Sequence, residues 1–366
     1  MNGRPPSLES LLRPELADLR AYVPHPAPPG AARLDANESP WALDDEARDT
    51  LTEALGRVAL HRYPDVRATA VREAIAAREA CHPDQLVLGS GSDEVIALVQ
   101  SALSAPRPGR DRATVLAPAP SFVMYGITAR TLGLTPVTVD LDPSSWDLDP
   151  AAVTAAIDAH RPNVTFLPSP NNPTGNLLGD PGLDAAIAAT DGLVVLDEAY
   201  GAFAGVTYRP RREAHPHVAQ LQTLSKVGLA ALRVGWAILP REVAGAVEKV
   251  RQPYNLNALS QTAAALCLTT LAPSLQSSVD RVIAARATLA DDLRAIDGVR
   301  VDRSDANFLW VELPVAAGPV HAALMARGVL VRSFHAGGPA LARRVRVTVG
   351  TPEECRRCVE ALRAVL

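Results

Sequence analysis

Between residues 85 and 239 short apolar runs alternate with amphipathic stretches. The runs fall at residues 85–88, 114–117, 136–139, 164–167, 193–196, 219–224 and 234–239. They are continuous rather than alternating, which predicts strands covered on both faces, and the helical stretches between them predict a mostly parallel sheet of about seven strands. A helix is expected over residues 44–58 ahead of this region and another over 241–251 behind it. Helical patterns at 260–271 and 274–296 then lead to a second set of strand-like runs at 299–301, 308–312, 330–334 and 344–349, with a last helix over 352–366. At the start, Leu8, Leu11, Leu12, Leu16 and Leu19 give a short helical pattern. Tyr22-Val23-Pro24-His25-Pro26-Ala27-Pro28-Pro29-Gly30 follows and is too rich in proline for helix or central strand. The prediction is an α/β protein. Residues 1–40 form an N-terminal arm that packs on another body, 41–255 a large domain around the sheet, and 256–366 a smaller α+β domain.

Length supports two domains, since 366 residues exceed what one core commonly serves. With 48% apolar and 21% charged residues the composition is that of a soluble globular protein. Lys plus Arg number 36 and Asp plus Glu 40, so the net charge of -4 gives no general attraction to nucleic acid or to an anionic membrane. A bound anion must be met by a local site. No run approaches the ~20 apolar residues of a membrane span, and no leader or anchor is read at the start, so a cytoplasmic location is expected. Cys81, Cys267, Cys355 and Cys358 are too scattered for a disulfide framework, and Cys355-Arg-Arg-Cys358 lacks a second ligand pair. All four are expected as free thiols, and no metal site is expected.

In Gln222-Thr223-Leu224-Ser225-Lys226-Val227-Gly228 a lysine sits among small, apolar and hydroxyl residues, with Arg233 seven positions after it and no acid between. This suits an amine that must lose its proton and attack a carbonyl, because desolvation or a cationic neighbour lowers a lysine pKa. The hydroxyls of Thr223 and Ser225 and the Arg233 guanidinium would suit a phosphate beside it, and the combination points to pyridoxal phosphate. For this stretch alone, a solvated Lys and Arg on a loop is the competing reading. Gly89-Ser90-Gly91-Ser92-Asp93-Glu94 follows the first strand of the sheet and opens a helix. It is either a phosphate cradle or a capped tight turn, and it lacks the third glycine of a dinucleotide fingerprint. Phe122 lies just past the second strand, where an aromatic ring either stacks on a planar cofactor or joins the core. Ser169-Pro170-Asn171-Asn172-Pro173-Thr174-Gly175 presents two amides after the fourth strand. In Leu193-Val194-Val195-Leu196-Asp197-Glu198-Ala199-Tyr200 an acid directly follows four apolar residues. A buried carboxylate needs a partner, and the protonated ring nitrogen of pyridoxal phosphate is one. Tyr200 could donate to the ring's phenolate.

In this order the motifs resemble those of the fold-type I, pyridoxal-phosphate-dependent aminotransferases, closest to the histidinol-phosphate aminotransferase group, over nearly the whole chain. The resemblance implies that Lys226 joins the cofactor and shuttles the substrate's α-proton, that Asp197 pairs with the ring nitrogen, and that Asn172 and Tyr200 donate to the ring oxygen. It makes Phe122 the stacking ring and assigns Ser92, Asp93, Thr223, Ser225 and Arg233 to the phosphate cup. Arg233 lies seven residues after Lys226, where many relatives have eight. Asp35-Ala36-Asn37-Glu38-Ser39-Pro40 and Arg62-Tyr63-Pro64-Asp65 resemble the group's N-terminal signatures. They imply that Asn37 binds substrate and that Tyr63 reaches the cofactor phosphate and substrate of a neighbouring subunit, so that sites are shared in a homodimer. Arg332 and Arg346 each stand in an apolar run and must meet an anion. By resemblance Arg346 receives the glutamate carboxylate, and Arg332, with Tyr22, the substrate phosphate. Arg343 and Arg344 are expected as surface charges. The implied reaction moves an amino group between L-histidinol phosphate and 2-oxoglutarate in histidine synthesis. An aromatic amino-acid aminotransferase and a threonine-phosphate decarboxylase share the scaffold. A non-catalytic sensor domain is disfavoured by the presence of Lys226, Asp197 and both arginines.

Overall fold

The computed structural model describes residues 8–16 and 28–366. Within the first span the helical pattern appears as two short 3₁₀ turns, Leu8–Leu11 and Pro14–Leu16. Leu19, Tyr22 and the proline-rich segment as far as Ala27 lie outside the described residues.

The strands in chain order are β1 (Ala32–Leu34), β2 (Leu86–Ser90), β3 (Thr114–Ala119), β4 (Thr135–Asp140), β5 (Val164–Pro168), β6 (Leu193–Asp197), β7 (Val218–Thr223) and β8 (Val234–Ile238). They are followed by β9 (Arg300–Val301), β10 (Phe308–Glu312), β11 (Val329–Ser333) and β12 (Arg344–Thr348). Seven of them form the large sheet in the order β2-β8-β7-β6-β5-β3-β4. The apolar runs behave as their continuity requires: β5 and β6 are buried at every position. Alternate residues serve opposite faces. Val164, Phe166 and Val195 pack with Val95, Val99 and Tyr125, whereas Leu167, Val194 and Leu196 pack with Ile157, Leu183 and Ile187. The sheet is mostly parallel, with β8 antiparallel to both of its neighbours. That reversal brings the start of β8 to the same edge as the ends of β2 and β7.

A helix that the sequence reading did not include, Thr69–Glu79, packs Val71 and Ile75 against Leu86, Trp236 and Ile238. The Asp65 carboxylate anchors its start by accepting from the Thr69 amide at 2.7 Å and the Arg67 amide at 2.9 Å.

The second sheet runs β1-β11-β12-β10-β9. Its β1 comes from the segment read as an arm and lies parallel to β11, while the other pairs are antiparallel. One face buries Leu34, Val331, Val345 and Val347 against Leu289, Leu293, Leu324 and Leu362 of the covering helices. The last of these helices, Pro352–Val365, starts in a capping box made by Thr351 and Glu354. The opposite face carries Phe308, Trp310, Arg332, Arg344 and Arg346. Here the structure corrects the expectation for Arg344, which is buried rather than on the surface. It pairs with Asp302 at 2.7 Å and Glu312 at 3.2 Å and lies 5.2 Å from the Trp146 ring centre. Arg343 is half exposed as expected and reaches Glu312 from outside.

The four cysteines are free, and burial pushes the thiols of Cys355 and Cys358 up to about 11 and about 12, so both stay neutral. No single helix among the described residues is long and apolar enough to cross a membrane.

Candidate active site

Ligands of open α/β sheets gather where strands end, and here the ends of β2, β3, β5, β6 and β7 meet the start of β8 around one cleft. Each contributes residues at or near that end. Ser92 and Asp93 come after β2, Phe122 after β3, Pro170 and Asn172 after β5, and Ser225 and Lys226 after β7, while Asp197 closes β6 and Arg233 precedes β8. The open volume is about 520 Å³. It continues outward into a second space of about 780 Å³ that shares Phe122, Asn172, Tyr200 and Lys226 and adds Asn37, Arg332 and Arg346.

Asp197 lies at the floor. Burial pushes its carboxyl up to about 6, against the hydrogen bonds that favour the charged form. Tyr125 donates to Oδ2 at 2.6 Å and the Ala199 amide to Oδ1 at 2.9 Å. Tyr125 is fully buried, its ring stacked on Phe166 at 4.6 Å, and burial holds its phenol well above the usual range, so it acts as a donor. Phe122 meets Tyr125 edge-on at 5.6 Å. The next residue, Glu198, faces away from the cleft. Its carboxyl is pushed up to about 7 by burial and accepts from Gln220 at 2.6 Å and the Tyr208 amide at 3.0 Å.

Lys226 belongs to a wide turn, Ser225–Leu229, in which Gly228 takes φ 100°, a conformation that favours glycine. A 3₁₀ turn, Ala230–Leu232, completes the passage to Arg233. The short Lys226–Arg233 spacing still delivers the guanidinium: Arg233 donates to the Ser225 hydroxyl at 3.4 Å and pairs with Asp93 at 3.4 Å. Thr223 is placed differently from the other hydroxyls. It sits beneath the turn, where its Oγ1 accepts from the Ser225 amide at 3.1 Å, and it is not among the residues lining the cleft.

In the outer space Asn172 accepts through Oδ1 from Arg346 at 2.6 Å, which leaves its Nδ2 as a donor. Tyr200 accepts from the Asn37 side chain at 2.8 Å, so its own hydrogen is available to another acceptor. Asn37 is buried and held in turn by Thr348 and Asn307. Arg332 stands directly opposite Arg346 across the antiparallel β11–β12 pair. Like charges in that position repel, so an anion between them would stabilise both.

A family model described as aminotransferase class I and II matches residues 31–362. The chain belongs to this family. It is 40% identical to a histidinol-phosphate aminotransferase of Methylibium petroleiphilum, covering 100% of this chain and 98% of that one. It is also 40% identical to one from Polaromonas naphthalenivorans, covering 98% and 96%. Among solved structures it superposes with TM-score 0.83 on histidinol-phosphate aminotransferase from Sinorhizobium meliloti in complex with pyridoxal 5′-phosphate, at 23% identity and 97% coverage of both chains.

Pyridoxal 5′-phosphate is the cofactor, and the residues of this aminotransferase fit it. A carboxylate raised by burial gains most from a cationic ring nitrogen. The helix Ser92–Ala102 starts at Gly91 with no side-chain cap, so its first N–H groups remain for an anion. A side chain at Gly91 would collide with the Arg233 guanidinium, and one at Gly235 with the Ser92 amide, so the bare backbone there lets the helix start and the arginine come together where a phosphate would fit. Of the expected residues, Tyr22 lies outside the described ones. Tyr63 is 81% exposed, stacked on Tyr254 at 4.6 Å, and is not among the residues lining its own chain's cleft. Tyr125 was missed by sequence reasoning. The available signal was its place three residues, one helical turn, after Phe122.

Proposed function

We propose that the chain is a histidinol-phosphate aminotransferase, acting as a homodimer in the cytoplasm and exchanging an amino group between L-histidinol phosphate and 2-oxoglutarate. The observation that carries the substrate is the opposed pair Arg332 and Arg346, open to the cleft beside Lys226. One guanidinium serves the phosphate of one substrate and the other the carboxylate of its partner, glutamate. The curated relatives at 40% identity support the same substrate. Four free cysteines suit a reducing compartment.

When bound, pyridoxal phosphate supplies a carbonyl for the substrate amine and a cationic ring that withdraws electrons from the α-carbon. The chain's residues divide the remaining tasks. Asp197 holds the ring nitrogen's proton. Asn172 Nδ2 and Tyr200 Oη donate to the ring oxygen, and Phe122 covers the ring. Ser92, Asp93, Ser225 and Arg233 receive the phosphate. Lys226 Nζ removes the α-proton and returns it, a general acid–base task worth about 10²–10⁴-fold.

The test is a single-turnover absorbance measurement on the holoenzyme with L-histidinol phosphate, L-phenylalanine or O-phospho-L-threonine and no oxo-acid. The cofactor is expected to pass to its amino form fastest with histidinol phosphate. Faster conversion with phenylalanine would move the assignment to an aromatic aminotransferase, and CO₂ release from phosphothreonine to a decarboxylase.

A further inference from the structure

Asp35 is the one carboxylate among the described residues that line the outer space of the cleft. Its position follows from the sheet. In the parallel β1–β11 pair Leu34 lies beside Val331, both in the core of the small domain. Arg332, the next residue of β11, turns to the opposite face, where it stands beside Arg346, and Asp35, in the bend just past the end of β1, lines the same outer space. Asp35, Arg332 and Arg346 thus form a row across three neighbouring chain segments on the side facing Lys226. The Asp35 main-chain carbonyl is fixed by the Arg346 guanidinium at 2.5 Å. Its half-buried carboxylate has neither a hydrogen bond nor an ion pair with any described residue, even with Arg332 lining the same space.

A lone acid is out of place in a cleft whose two arginines are set to receive anions, since it repels the same phosphate and carboxylate they attract. It is useful only if the substrate also carries a hydrogen-bond donor or a positive charge away from its reacting amine. On the reading of the site given above, the substrate does: the imidazole ring offers an N–H and titrates with an unperturbed pKa near ~6.5. We propose that Asp35 is a specificity-determining residue that accepts a hydrogen bond from the substrate's imidazole N–H and favours that ring over a phenyl ring. A phenyl ring leaves the carboxylate desolvated and unpaired, and a site built around a substrate N–H rejects analogues lacking it far better than a site built on shape alone.

This inference rests on the histidinol-phosphate reading, so the two are tested separately on the same preparations. The first measurement is single-turnover conversion of histidinol phosphate by the wild-type holoenzyme. The second is calorimetric affinity for imidazolylpropyl phosphate and phenylpropyl phosphate, two amine-free probes that share the phosphate and differ in the ring. Wild type is expected to bind the imidazolyl probe more tightly by about ten- to a hundredfold, the range of a hydrogen bond to a charged group. In Asp35→Ala that ratio falls toward one, and in Asp35→Asn, which keeps the shape and an uncharged acceptor, it is intermediate. Equal weakening of both probes in Asp35→Ala would mean that Asp35 only positions the arginines, and would overturn the inference while leaving the function intact. A preference that survives in Asp35→Ala would overturn it too. Failure of the wild type to convert histidinol phosphate would instead overturn the functional reading, and the inference with it.

Discussion

Asp197 depends on a neighbour that the linear sequence hides. An acid at the end of a four-residue apolar run announces that it needs a partner, and Asp197 was legible for that reason. Tyr125 was not, because a tyrosine on an amphipathic helix looks like ordinary core until the fold brings it 2.6 Å from the carboxylate. Its hydrogen bond opposes the burial that pushes Asp197 up to about 6. Tyr125→Phe keeps the stack on Phe166 and removes only that bond, so the Asp197 pKa should rise further. In the proposed pairing the ionised carboxylate binds the ring nitrogen's cation, so cofactor affinity should fall as pH drops through the Asp197 pKa. In Tyr125→Phe the fall should begin at higher pH than in wild type. At neutral pH the variant should bind the cofactor about two- to tenfold more weakly, because losing a hydrogen bond to a charged group lowers the ionised fraction of Asp197 by about that much. A fluorescence titration of apoprotein with pyridoxal phosphate across pH 5–8 checks both statements, and coincident curves for the two proteins would rule out the tuning role.

At the scale of the strand, β12 shows what periodicity can and cannot say. Arg344-Val345-Arg346-Val347 alternates with period two, so the two arginines share a face. That signal was present in the sequence. It conflicts with an assignment of Arg346 to a binding site and Arg344 to the surface. What the sequence could not supply was the cover over that face, because Trp146, Trp310, Asp302 and Glu312 come from three separate stretches of chain. Arg344 is therefore structural where Arg346 meets the cleft. Removing one member of a buried ionic cluster leaves the others uncompensated. Arg344→Ala should therefore cost about 3 kcal/mol of stability, whereas the neighbouring Arg343→Ala, which cuts a solvent-screened pair, should cost about 0.5 kcal/mol or less. Urea denaturation of the two variants beside wild type measures the contrast, and similar midpoints for both would contradict the placement of Arg344.

For the whole molecule, the large sheet was readable from continuous apolar runs, whereas the proposed homodimer has only an exposed surface to support it. Leu60 is 77% exposed, Tyr63 81%, Tyr254 42% and Leu259 42%. Tyr63 stacks on Tyr254, and the segments around them are tied together where Arg251 donates to the Val66 carbonyl at 3.0 Å and Gln261 to the Asp65 carbonyl at 2.8 Å. Exposed apolar residues of this kind suit a contact surface, and in the proposed homodimer Tyr63 of each chain would complete the other's cleft. Shared sites have a consequence that separate sites lack. Lys226→Ala and Tyr63→Ala homodimers should each be impaired. After joint denaturation and refolding in equal amounts, about half of the dimers are mixed, and each mixed dimer has one cleft with both Lys226 and an intact partner tyrosine. The mixture should recover about a quarter of wild-type activity beyond what the parent variants retain. If each chain completes its own cleft, no pairing restores both residues to one site, and the activity of the mixture stays at the average of the two parents.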